Sequence, residues 1–130
     1  MPKLVRDVMS RGVTTCTPET TVREAARRMT ENHLNALVVV DELSGELEGI
    51  VSRTDLARVY EQDYEALTVE SVMTQEVETI IPDIPASAAV MIMMDRNVDR
   101  LVIMHSKPAP QRPVAVLSLS DIVRDIAGLT

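Results

Sequence analysis

Two stretches carry hydroxyl and carboxylate side chains at the same spacing: Ser52-Arg53-Thr54-Asp55 and Ser118-Leu119-Ser120-Asp121. Each follows an unbroken apolar run and opens a helical pattern, so each aspartate stands at a strand-to-helix junction. The plain reading is a first-turn aspartate that stabilises its helix by charge–dipole interaction. Thr54 and Ser120 are placed to cap those helices. Hydroxyls and free backbone N–H groups at a helix start also suit phosphate oxygens. Other reactive groups are few. Cys16 has no histidine near it in sequence and reads as a small core or cleft residue rather than a nucleophile. His33 and His105 stand far apart, the first reading as a helix C-terminal residue and the second as a strand-end residue, so no metal site is expected. Arg27-Arg28 reads as a solvated helix face. With no nucleophile–base–orienter set and no glycine-rich phosphate loop, no catalytic residue is assigned, and the chain is not expected to be an enzyme.

The elements that must position these groups belong to a repeat. Shifting the sequence by 64 residues superposes Val5, Val8, Met9, Val13, Thr15, Pro18, Ala25, Met29, Leu37 and Val38 on identical residues, from Val69 to Val102. Further on the offset becomes 66, and Ser52, Thr54, Asp55 and Leu56 meet Ser118, Ser120, Asp121 and Ile122. The two-residue slip belongs in a turn, between Glu42–Glu48 and Ser106–Val114, where insertions disturb no buried ladder. Each copy predicts the order β-α-β-β-α. An extended piece (Gly12–Thr15; Glu76–Thr79) leads to an amphipathic helix, begun in copy one by the capping-box spacing Thr21-Val22-Arg23-Glu24 and in copy two near Pro85. Two strands follow (Leu37–Val40 and Leu47–Val51; Leu101–Met104 and Pro113–Leu117), then the helix opened by Ser/Thr-Asp, with Leu56, Val59 and Tyr60, or Ile122, Val123 and Ile126, as its apolar face. The fold class is α/β (α+β), with residues 1–62 as repeat one, 63–71 as connector and 72–130 as repeat two. A copy of about 60 residues is marginal alone, so the two sheets are expected to pack with pseudo-twofold symmetry and to leave ligand clefts between the copies.

Composition narrows the partners. The chain has 130 residues, a net charge of −7 and a pI of about 4.8. A phosphate backbone needs a basic footprint, so no nucleic-acid partner is expected. Aromatic stacking platforms are also lacking, with Tyr60 and Tyr64 the only aromatic residues. The longest apolar stretch, Ala88–Met94, is too short to span a bilayer. A single cysteine and the absence of a signal-peptide pattern fit a soluble protein of the reducing cytoplasm.

Three motifs, each present twice and in order, carry a resemblance. They are Val-x-x-Val-Met-[Ser/Thr] (Val5–Ser10; Val69–Thr74), Val-x-Thr-x-x-Pro (Val13–Pro18; Val77–Pro82) and Gly-h-h-[Ser/Thr]-x-x-Asp, where h is apolar (Gly49–Asp55, and Ala115–Asp121 with alanine for glycine). The chain thereby resembles a tandem pair of CBS (cystathionine-β-synthase) domains, the unit called a Bateman module. The resemblance implies a regulatory module that senses an adenosine-containing ligand (AMP, ADP, ATP or S-adenosylmethionine) in the cleft between the repeats and signals to a regulated partner protein. It implies no catalytic cofactor. It places Asp55 and Asp121 on the ribose diol, as acidic residues are used in dinucleotide folds. Ser52, Thr54, Ser118 and Ser120 fall beside the phosphates, Thr15 and Thr79 beside the purine, and Val51 and Leu117 act as apolar walls. Arg100 supplies a phosphate fork, with Arg53 as a second candidate. Ala36 stands at the position of Arg100 in copy one, so the better site is expected to use Asp121 and Arg100.

One helix departs from its copy. Arg27, Arg28 and Thr30 become Met91, Ile92 and Met94, leaving the Ala88–Met94 helix apolar nearly all round. A covered second face follows, and the resemblance implies a homodimer through these three residues. The alternative to the sensor is a ligand-independent dimerisation or protein-docking module.

Overall fold

The computed structural model describes residues 2–10, 12–106 and 112–129. Its elements are α1 (Val5–Val8), β1 (Thr15–Cys16), α2 (Val22–Glu31), β2 (Ala36–Val40), β3 (Leu47–Ser52), α3 (Arg53–Ala57), β4 (Thr79–Ile80), α4 (Ala86–Arg96), β5 (Arg100–Met104), β6 (Pro113–Ser118) and α5 (Leu119–Ile126), with a 3₁₀ turn at Val69–Ser71. The repeated β-α-β-β-α order is present. The extended pieces shrink to the residues that find a partner, Thr15–Cys16 and Thr79–Ile80. Of the two turns that absorb the repeat's slip, Lys107-Pro108-Ala109-Pro110 lies outside the described residues.

The chain divides into two compact units, Thr14–Val77 and Met1–Val13 with Glu78–Thr130. In the first, β1 pairs parallel with β2, and β2 pairs antiparallel with β3. The strands β4, β5 and β6 repeat that order in the second. Registers match residue for residue: Thr15 lies beside Val38 and Thr79 beside Val102, while Ala36 faces Ser52 and Arg100 faces Ser118. Paired residues share a sheet face. One face of the first sheet therefore carries Cys16, Leu37, Val39 and Val51, which form a buried core with Ala25 and Met29 of α2. The other face carries Thr15, Ala36, Val38, Ile50 and Ser52.

The units are offset from the sequence repeat because each opening motif is used by the other copy's unit. Val5 and Val8 are buried with Ile80, Met93, Leu101 and Leu117, and the Val5 N–H donates to the Ile84 carbonyl at 2.9 Å. Val69 is buried with Cys16, Leu37 and Val51, and its N–H donates to the Thr20 carbonyl at 2.8 Å. The two bonds are equivalent with the copies exchanged, since Val5 and Val69, and Thr20 and Ile84, each lie 64 residues apart. Fully burying a valine is worth roughly 1.5–3 kcal/mol, so the opening motifs are core rather than leader.

Capping partly follows the pattern in the sequence. Thr21 accepts from the Glu24 N–H at 3.1 Å, but the Glu24 carboxylate turns to Arg27 and Arg28 instead of closing the box. α2 and α4 stop alike, with His33 (φ 55°) and Asn97 (φ 54°) in the left-handed region, which histidine and asparagine enter more readily than most side chains. No described helix is long and apolar enough to cross a membrane.

Candidate functional site

Asp121 stands three residues beyond the end of β6, and its two carboxylate oxygens have different partners. Oδ2 accepts from the Ser118 N–H at 2.9 Å and from its hydroxyl at 3.2 Å. The Asp121 N–H donates back to Ser118 Oγ at 3.3 Å, which completes a reciprocal cap. Oδ1 meets only side chains: Arg124 Nη1 at 2.9 Å and Ser10 Oγ at 3.4 Å. Asp55 repeats the pattern, with Oδ2 accepting from the Ser52 N–H at 2.9 Å and Oδ1 facing Arg58 Nη1 at 3.5 Å. Both aspartates are buried, at 6% and 5% exposure for Asp55 and Asp121. The backbone has thus fixed one oxygen of each carboxylate, and the other is held only by groups able to swing away.

Other expected site residues divide by sheet face. Thr79, Arg100 and Ser118 share the face of their sheet opposite the helix-packed core, as Thr15 and Ser52 do in theirs. Leu117 and Val51 do not. Both are fully buried in the helix-packed cores, because a two-residue side-chain period turns them away from the neighbouring serines. On the serine face, the apolar residues that precede the serines by two are Ile50 and Val116, and they lie beside Val38 and Val102. Thr54 and Ser120 also need correction. The capping residues are Ser52 and Ser118, and Thr54 and Ser120 lie inside the first turn, exposed. Arg53 is the first residue of α3 rather than a loop residue, and it lines a recess with Met29, His33 and Leu56 on the helix side.

Arg100 holds its guanidinium against its neighbour, with Nε 3.1 Å from Asp99 Oδ1 and Nη2 3.3 Å from Oδ2. In the other unit Arg28 reaches the Thr15 carbonyl with Nη1 at 2.9 Å and is bound to Glu24. It reaches down to β1 while its side chain stays 38% exposed. Sequence reading missed Arg58, Arg124 and Ser10. Asp-x-x-Arg on a helix was a legible signal for the arginines, whereas nothing local pointed from Ser10 to a residue 111 positions away. Cys16 is buried, and burial pushes its thiol up to about 11 against a small opposing pull from Arg28. No described group of three His, Cys, Asp or Glu side chains could hold a metal ion.

The model of the CBS domain matches the chain twice, over residues 5–62 and 69–128. The chain belongs to the CBS domain family. Among solved structures, the CBS domain pair of protein MJ0100 in complex with 5'-methylthioadenosine and S-adenosyl-L-methionine is similar to it over 100% of both chains, with a TM-score of 0.87 and 28% identity. CBSX2 in complex with AMP shares the fold, covering 98% of both chains at a TM-score of 0.82 and 19% identity. Of curated proteins, arabinose 5-phosphate isomerase KdsD of Pseudomonas aeruginosa is 35% identical over 107 residues, covering 81% of this chain and 32% of that protein. L-aspartate semialdehyde sulfurtransferase of Methanosarcina acetivorans is 40% identical over 87 residues, 66% of this chain and 17% of that protein. The chain thus spans a third or less of these curated relatives. Its mixed α+β fold is that of a CBS pair.

Proposed function

We propose that this CBS pair is a regulatory module that binds an adenosine-containing ligand and passes its occupancy to a partner protein. The observation that carries this reading is the full-length likeness to a CBS pair solved with two adenosine-bearing ligands. The site chemistry agrees with it. A ribose diol presents two adjacent hydroxyl donors, and Asp121 Oδ1 can take both by releasing Arg124 and Ser10. Thr79 on the same unit then faces the purine, and Ser118 and Ser120 serve the phosphates or sulfonium side of the ligand. Arg100 becomes a phosphate fork by leaving Asp99. That exchange is cheap, because an ion pair with an exposed partner is worth no more than about 1 kcal/mol. Asp55, with Thr15, Ser52 and Thr54, offers a second site without an equivalent of Arg100. The module carries out no reaction itself, acts in the cytoplasm, and works as a homodimer through Met91 and Met94, which are exposed at 64% and 58%. Ile92 lies partly buried against the core.

A thermal-shift panel with AMP, ADP, ATP, S-adenosylmethionine, 5'-methylthioadenosine, NAD and GTP tests this. A ligand at about 100 times its Kd adds about 2.7 kcal/mol, a shift of several degrees for a domain of this size. The expected result is a shift with one adenosine ligand that Asp121→Ala abolishes and Asp55→Ala weakens less. A second reading, a ligand-independent docking module, is favoured by one observation: both aspartates are already satisfied as caps. A flat panel on protein verified to be ligand-free would establish it instead.

A further inference from the structure

The two Asp-x-x-Arg pairs share a spacing but not a geometry. In the unit formed by Met1–Val13 with Glu78–Thr130, Arg124 Nη1 stands 2.9 Å from Asp121 Oδ1, and the arginine side chain is 45% exposed. In the Thr14–Val77 unit, Arg58 Nη1 stands 3.5 Å from Asp55 Oδ1, at 73% exposure. Helix length explains the difference. α5 runs for eight residues and holds Arg124 within a regular turn, where a side chain three positions on lies over Asp121. α3 has five residues, and Arg58 is already its C-cap.

A hydroxyl strengthens the tighter pair. Ser10 Oγ reaches Asp121 Oδ1 at 3.4 Å from within the same unit. Its counterpart 64 residues on is Thr74, whose backbone is bonded to Ile50 in both directions. Among the described residues, no hydroxyl reaches Asp55 Oδ1. An ionised carboxylate offers about four acceptor positions, two on each oxygen. At Asp121 all are taken: Ser118 fills Oδ2 with its N–H and hydroxyl, and Arg124 and Ser10 fill Oδ1. A ribose diol needs two of these positions. The Ser118 bonds belong to the helix cap, so the diol can enter only where Arg124 and Ser10 now stand.

We infer that Arg124, helped by Ser10, is a built-in rival of the ligand at Asp121 and sets the concentration at which that site fills. Asp55 is held by the looser pair and is restrained less. Arg124 acts through the carboxylate and is not itself a ligand contact. Removing it leaves a buried charge uncompensated, which is costly to the protein, and a diol restores the compensation. The inference rests on the adenosine-ligand reading above and adds what regulates its site.

Calorimetric binding of 5'-methylthioadenosine to the full chain tests this, because that ligand carries the diol and no net charge. The binding to be read is the part that Asp121→Ala removes. Arg124→Ala is expected to tighten it by about two- to five-fold, the range of an ion pair with an exposed partner, and Ser10→Ala by less. Arg96→Ala, which removes the same charge from an exposed pair with Glu78 on the same unit, leaves it unchanged. Arg124→Ala also melts earlier without ligand, so stability falls while affinity rises. Added salt screens the partly exposed pair and tightens binding by the wild type, but not by Arg124→Ala. Unchanged or weaker binding by Arg124→Ala overturns the rivalry and leaves the adenosine reading standing. If that variant does not fold, the wild-type salt series decides, and affinity that stays flat or falls with salt overturns the rivalry. Failure of wild type, Ser10→Ala and Arg124→Ala alike to bind any adenosine ligand of the panel overturns both readings.

Discussion

At the scale of single residues, the serine before each aspartate matters more than the hydroxyl beside it. Ser52 and Ser118 are the N-caps and exchange bonds with Asp55 and Asp121. Ser52→Ala and Ser118→Ala are each expected to lower stability by about 1 kcal/mol, whereas Thr54→Ala and Ser120→Ala stay within about 0.5 kcal/mol, read as urea midpoints. The motif was legible, but the cap was assigned two residues late, since sequence alone does not say where the strand's hydrogen bonds stop. Cys16 offers a second test. Its folded pKa is raised from 9.0 to about 11, so between those values the native thiol keeps a proton that the unfolded chain has released. Its contribution is therefore complete below pH 9 and is lost as pH rises through 11. Unfolding free energy across that alkaline window should fall more in the wild type than in Cys16→Ala, and native Cys16 should resist thiol reagents at pH 8.

At the scale of elements, one glycine shows why matched motifs behave differently. A Cβ at Gly49 would stand 2.6 Å from the Thr74 carbonyl oxygen. The chain crosses there to bond with β3, with the Ile50 N–H donating to the Thr74 carbonyl at 2.9 Å and the Thr74 N–H donating to the Ile50 carbonyl at 2.8 Å. Gly49→Ala must separate these segments, at about 1–3 kcal/mol by the cost of overpacking. In the other unit Ala115 already fills the matching position and is fully buried, so Ala115→Gly is expected to cost about 0.5–1 kcal/mol through lost chain stiffness. Melting temperatures of the two variants check both. The apolar pattern, as unbroken runs, predicted the central strands well because β2 and β5 are buried at consecutive positions, on both faces. It misjudged α5, where Val123 and Ile126 face solvent, because an apolar helix position does not say whether its cover is the chain itself or a second molecule.

At the scale of the whole molecule, the exchange of opening motifs decides what can be cut apart. A fragment spanning 1–62 contains one sequence repeat, yet it lacks Val69, Val72 and Met73, which pack on its core. A fragment spanning 14–77 contains them. The second fragment is expected to give a dispersed amide NMR spectrum, or at least protected β2 amides, and the first is not. Equal folding of the two would show that the opening motif is dispensable. Both are small enough to be marginal, so the comparison between them is the measurement.

The sequence by itself determined the repeat, the order of elements, the buried strands and the family, because hydrophobic periodicity and local capping act over a few residues and are written in consecutive positions. It also placed both Ser-x-x-Asp pairs at their strand ends. Only the tertiary structure decided that Val5 serves the second copy's core and Val69 the first's, which sheet face the helices cover and so bury with Val51 and Leu117, and that Ser10 reaches the outer oxygen of Asp121. Those facts depend on which distant segments meet. Contacts between residues far apart in sequence leave no local pattern in a single chain.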